Sequence, residues 1–418
     1  MLKIFKLPDI RKKILFTVFI IAVFRFLSHV PVPGVDVSAI KSYLEQSAFF
    51  GFFDLFSGGG FQNFSIVTLG LGPYINASII IQLLTMLIPS LEELSKEGEF
   101  GQEKINMYTK ILAVPMSFVQ SYGIYFLLSK QGIINSLSGL DLVILMLTFT
   151  AGSLFLVWLG DLVTEHGVGN GVSLLIFVSI ISKLPTSALT LLNNVMSGNY
   201  VSTVVLLALI LLVIVAVVMV NEGTRNILLE YGKRGERSQR VTNYLPIKIN
   251  QAGVIPIIFA VSIVSIPGLV GGPLMASGKP FWERLGNFLI TYFQSNTFTY
   301  NAVYFILVVA FTFFYTFIQF NPEKIADDIK KRGGFIPGVR PGLSTAQYLK
   351  NIVTRVTLAG SLFLGLIAVL PYFMQFIFGP NTISIGGTSL LISVSVVLET
   401  VRQVESLSVT RSYEKFLG

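Results

Sequence analysis

Residues that could do covalent or acid–base chemistry are few in this sequence, and none is spaced for it. Cys is absent, which removes a thiolate nucleophile, a thiolate metal site and any disulfide. His29 and His166 are too few for most imidazole metal sites and belong to no H-E-x-x-H pattern, which an intramembrane metalloprotease would need. Gly58-Gly59-Gly60 is not followed by the Lys-Ser/Thr of a phosphate-binding loop. Gly167-Val168-Gly169-Asn170-Gly171 has the wrong spacing for a dinucleotide fingerprint, and Leu159-Gly160-Asp161 lacks the earlier Gly of an intramembrane aspartyl protease. The sequence therefore offers no catalytic set, no metal-ligand set and no cofactor motif.

The elements that would have to position any site are apolar. Of the 418 residues 53% are hydrophobic and only 12% charged, with a mean hydropathy of +0.73. Soluble chains average about a quarter charged, so this composition suits helices that are apolar all round in a bilayer. Apolar stretches of roughly 17–25 residues, the length that crosses ~30 Å of hydrocarbon, fall at 14–31, 66–89, 107–128, 141–160, 168–185, 201–220, 252–271, 300–320, 352–371 and 383–402. The stretch 66–89 is broken by Gly70, Gly72 and Pro73 and carries Asn76, Ser78, Gln82 and Thr85. Such interrupted, partly polar helices face protein or water. The first stretch follows Lys3, Lys6, Arg11, Lys12 and Lys13, lacks a small-residue cleavage site and runs into Pro31-Val32-Pro33-Gly34, so it reads as an uncleaved span.

Cytoplasmic loops collect Lys and Arg. With the N-terminus inside, most basic residues lie in inside segments, against Lys41, Lys130, Lys183, Lys279 and Arg284 outside. This places both termini in the cytoplasm. Cutting near Asn193 leaves five spans on each side, residues 1–192 and 193–418, which must enter the membrane in opposite directions. That is the parity of an inverted repeat. The central stretches 71–88, 111–128 and 252–271 carry no charge, which weakens an ion-coupled transporter. Arg25 is the exception, and it reads either as snorkelling toward an interface or as functional, the former preferred.

Ordered motifs then narrow the reading. They are Phe24-Arg25 leading into Pro31-Val32-Pro33-Gly34-Val35-Asp36, the run Gly72-Pro73-Tyr74-Ile75-Asn76-Ala77-Ser78, and Gly167-Val168-Gly169-Asn170-Gly171-Val172-Ser173. They continue with Asn250-Gln251-Ala252-Gly253-Val254-Ile255-Pro256, Phe335-Ile336-Pro337-Gly338-Val339-Arg340-Pro341-Gly342 and Gly386-Gly387-Thr388-Ser389-Leu390-Leu391-Ile392. In this order, across nearly the whole chain, they resemble the SecY family, the channel subunits of the bacterial Sec translocase.

The resemblance implies an all-α polytopic membrane protein of about ten transmembrane helices in two inverted five-helix halves, with a short re-entrant plug helix. It implies a channel without enzymatic activity. A midplane ring of aliphatic side chains is expected from Leu71, Ile75, Val172, Ile176, Ile258 and Ile392; spacing alone does not distinguish these from ordinary membrane aliphatics. Leu71 and Val172 stand where Ile is common in the family. The plug is expected at 52–65, with Phe53, Leu55, Phe56, Phe61 and Phe64 packing it and Gly58, Gly59 and Gly60 keeping its ordering weak; an interfacial loop with an aromatic anchor is the alternative reading.

Gln82, Gln120 and Asn250 are expected at a lateral gate or, equally, as helix glue. Loops 222–250 and 321–351 each carry six Lys or Arg. They are expected to dock the SecA motor or the ribosome through Arg237, whose register is open, and Arg340, held out by turn residues. The expected partners are SecE, a SecG-like subunit, SecA, the ribosome, unfolded secretory and membrane-protein chains with signal sequences, and membrane lipid, all at a bacterial plasma membrane. An inverted-repeat solute transporter and a membrane enzyme of unrecognised type are the competing readings.

Overall fold

The computed structural model describes residues 8–32, 57–130, 132–134, 137–196, 198, 200–231, 242–275, 278–294, 296–378 and 387–417. Its helices are α1 (Pro8–Leu27), α2 (Gly72–Leu87), α3 (Pro89–Lys96), α4 (Glu99–Lys130), α5 (Gly139–His166), α6 (Gly171–Ile181), α7 (Leu184–Met196) and α8 (Tyr200–Glu222). After strands β1 (Thr224–Tyr231) and β2 (Thr242–Lys248) come α9 (Ile255–Met275), α10 (Pro280–Tyr292), α11 (Phe298–Gln319), α12 (Pro322–Lys331), β3 (Gly334–Phe335), α13 (Leu343–Phe378) and α14 (Gly387–Leu417).

Each of the ten apolar stretches overlaps a helix. Among the described residues, five segments are long and apolar enough to cross a membrane, namely Gly139–His166, Gly171–Asn193, Thr203–Glu222, Phe298–Lys331 and Leu343–Ile377. The pair α2 and α3, bent by 103°, would make a sixth. The bend is local chemistry: Ile88 is extended before Pro89, as a residue preceding proline prefers, and Pro89 starts the new helix. Stretch 168–185 is lengthened differently: Leu184-Pro185 opens α7 shortly after α6 and carries the apolar segment to Asn193 without such a bend.

The chain divides into two compact units. The first comprises residues 1–192, 265–295 and 396–418. Its core joins Phe61, Phe64, Leu69, Ile124, Leu128, Ile134, Leu145 and Phe149. Glycines allow the close approaches: a Cβ on Gly152 of α5 would overlap the Ile66 carbonyl, and one on Gly171 would overlap that of Gly160. Caps fix the helix starts. Ser173 N donates to Asn170 Oδ1 at 3.0 Å, and Gly171 N donates to Thr164 Oγ1 at 2.9 Å.

The second unit comprises residues 193–264 and 296–395. Here the long loops contain an element that the charge pattern did not disclose, an antiparallel sheet in the order β2-β1-β3. Thr224 pairs with Lys248 and Glu230 with both Thr242 and Phe335. Pro246, unable to donate to a ladder, lies on the edge strand β2. Ile227, Leu229 and Ile247 turn inward against Phe320, Ile329, Ile336, Leu349 and Val353. Asn321 caps α12 by accepting from Glu323 N and Lys324 N, both at 3.1 Å.

Candidate functional site

Four of the six expected ring residues stand at the starts of helices in the first unit. Leu71 is the N-cap of α2 and Ile75 is one turn on, its N–H donating to Leu71 O at 3.0 Å. Val172 is the second residue of α6, which Asn170 caps, and Ile176 lies one turn further on, with Ile176 buried and Val172 against Gly160. In the second unit Ile258 lies in the first turn of α9 and Ile392 in the second turn of α14, both buried. Pro73, inside the first turn of α2, costs no hydrogen bond there and sets where Leu71 and Ile75 fall.

The expected plug is only partly open to description, since Phe53, Leu55 and Phe56 lie outside the described residues. Gly58 and Gly59 have φ of +66° and +84°, a region that favours glycine. The aromatics that follow these glycines are packed. Phe61 and Phe64 are 0% exposed, and Phe64 meets Phe149 edge-on with ring centroids 5.2 Å apart. Phe64 has φ of +43°, the one non-glycine with positive φ among the described residues. Val32 N donates to Phe64 O at 2.9 Å and Ile66 N to Val30 O at 3.1 Å, so this segment pairs with the chain leaving α1.

The polar residues expected at a lateral gate are held within their own surroundings. Gln82 Nε2 donates to Ser78 Oγ at 3.2 Å, inside α2. Gln120 of α4 lies beside Gly72, whose added Cβ would stand 3.7 Å from its Oε1. Asn250 is buried, and its Nδ2 donates to Asn221 Oδ1 at 2.8 Å. Asn221 Nδ2 in turn donates to Ser395 Oγ at 2.8 Å. Asn250 Oδ1 and Gln251 Oε1 are buried with no partner among the described residues.

Of the docking residues, Arg237 lies outside the described residues. Arg340 is exposed and follows a turn closed by Val339 N donating to Ile336 O at 3.0 Å, with Gly338 at φ +81°. Thr345 Oγ1 fixes the backbone from the other side, donating to Arg340 O at 2.9 Å. The Pro-Gly pattern on each side thus presents a cation on a braced backbone.

Two contacts escaped sequence reasoning. Lys110 of α4 pairs with Asp161 of α5 at 2.7 Å, with 43% and 33% of their side chains exposed. Their separation along the chain leaves no local pattern to read. Arg25 was visible as a charge in a span, but snorkelling does not account for it. It is half-buried, and its Nη1 donates to the Gly58 carbonyl at 2.6 Å.

Comparison with known proteins gives these positions their context. The SecY family matches residues 65–401. The protein translocase subunit SecY of Corynebacterium glutamicum is 42% identical, across 99% of this chain and 98% of that protein. This chain belongs to the SecY family. The SecY subunit of Mycobacterium tuberculosis is 41% identical, across 98% of this chain and 97% of its own length. Among solved structures, a protein conducting channel aligns with TM-score 0.69 and 21% identity, covering 97% of this chain and 96% of that one. Sec61 from a canine ribosome–channel complex aligns with TM-score 0.65 and 19% identity, again covering 97% and 96%. At such identities the structures establish the shared SecY fold, a helical membrane architecture.

Proposed function

We propose that this SecY-family chain is the protein-conducting channel of a Sec translocase, which passes unfolded polypeptides across a bacterial plasma membrane and releases membrane segments sideways. The observation that carries the reading is the match to a translocase subunit at 42% identity over 99% of the chain. The mechanism rests on the side chains. Leu71, Ile75, Val172, Ile176, Ile258 and Ile392 form an apolar constriction that dewets and blocks ions, yet makes no directional hydrogen bonds to a passing chain. Residues 52–65 act as the plug. Gln82, Gln120 and Asn250 supply polar contacts worth only ~0.6–2 kcal/mol each to a lateral exit, weak enough to open.

Both termini lie in the cytoplasm, and residues 1–192 and 193–418 are the inverted halves. The cationic loops 222–250 and 321–351 dock SecA or the ribosome through Arg237 and Arg340. SecE clamps the channel, and a SecG-like subunit completes it. The chain is a conduit without hydrolytic chemistry, the nucleotide being spent by its partners. A photo-crosslinker placed at Ile75 or Ile258 is expected to capture a stalled secretory chain. Absence of capture, with tight binding of a small solute instead, would refute the reading.

A further inference from the structure

Arg25, near the end of α1, joins that helix to the segment beginning at Ser57. Its guanidinium Nη1 lies 2.6 Å from the Gly58 carbonyl oxygen, short for a nitrogen–oxygen bond and strengthened by the charge. Gly58 is fitted to this position. Its φ is +66°, and a Cβ would stand 2.6 Å from Phe24 Cζ and 3.0 Å from Ser179 Oγ. Further along, Asn63 Nδ2 donates to Ser28 O at 3.1 Å, and the backbones of Val30 and Val32 pair with Ile66 and Phe64. The far end of the segment is therefore held by two backbone bonds and the Asn63 side chain. The Gly58 end is held by a cation whose withdrawal from water demands a partner.

We propose that Arg25 is a positioning residue of the resting seal, a latch on the Gly58 carbonyl that keeps residues 57–66 docked against α1. The inference rests on the reading of 52–65 as the plug. Replacing Arg25 with Met keeps an unbranched apolar stem but removes every side-chain donor, and Arg25→Lys keeps the charge but loses the planar fork.

The test uses the assembled translocase in planar bilayers with no translocating chain, the leak being scaled to the number of assembled channels. Arg25→Met is expected to raise the resting ion conductance about tenfold, the scale set by losing a hydrogen bond to a charged group. Arg25→Lys falls between, and carries the test if the Met variant fails to assemble. Unchanged conductance overturns the proposal. Because the chain has no Cys, Ser28→Cys with Asn63→Cys can be cross-linked alone. The same cross-link beside native Arg25 is expected to block translocation. Normal translocation there would refute the plug reading, an outcome distinct from the absence of a leak in Arg25→Met.

Discussion

The segment around Phe64 and the platform around Arg340 use opposite means of holding a functional residue. The first is buried: Phe61, Phe64 and Phe149 are 0% exposed, close-packed among aliphatics, and the backbone accepts φ of +43° at Phe64 to keep the ring inside. The second presents an exposed cation on a frame made of a three-stranded sheet, a capped helix and a turn. In the first, function and stability share the same side chains, since packing positions the segment. In the second they are separated, because the sheet, its apolar cluster and the helix cap hold the frame without the charged tip.

That difference can be broken by graded substitution. Phe64→Ala is expected to be the most damaging, at ~3–5 kcal/mol for emptying an aromatic site in a close-packed core, read as a large fall in the thermal unfolding midpoint of the purified complex. Gly152→Ala should come next at about 1–3 kcal/mol, because its Cβ would drive into the Ile66 carbonyl; equal midpoints for this variant and the native protein would show that the segment has room to shift. In the platform, Asn321→Ala removes the cap of α12 and should lower stability by about 1 kcal/mol, with Asn321→Ser restoring most of it in the same melt. Lys110→Met sits at the partly exposed ion pair with Asp161, and solvent screening limits its effect to ~0.5 kcal/mol or less, measurable as a salt-dependent difference from the native protein. Arg340→Glu should leave the midpoint within about 0.5 kcal/mol of native, as an exposed site does. Its effect belongs to SecA-driven export into membrane vesicles, expected to fall about tenfold through lost charge complementarity. A midpoint that fell with export would erase the separation of frame from tip.

Sequence reasoning reached the platform unevenly. The turn at Arg340 was readable because Pro-Gly-Val-Arg-Pro-Gly is local chemistry. The sheet beneath it was not, since Ile227-Leu228-Leu229 is a continuous apolar run that conceals its inward and outward alternation, and β2 is needed to pair with it. Around the plug, Gly58-Gly59-Gly60 promised looseness by composition, whereas the aromatics beside them are anchored by partners on α4 and α5.

Membrane residence, the approximate positions of the helices and the resemblance to the SecY family were determined by the sequence alone, because hydropathy adds up along contiguous residues and motifs are read in order. Tertiary structure decided where the polar groups found their partners. Arg25 reaches a carbonyl 33 residues away, and Asn221 reaches Ser395 across 174. A buried or membrane-embedded polar group must be satisfied somewhere, but the need says nothing about which distant atom will meet it. Only the packing of helices whose surfaces are nearly uniform in apolarity brings one acceptor, and not another, within 3 Å.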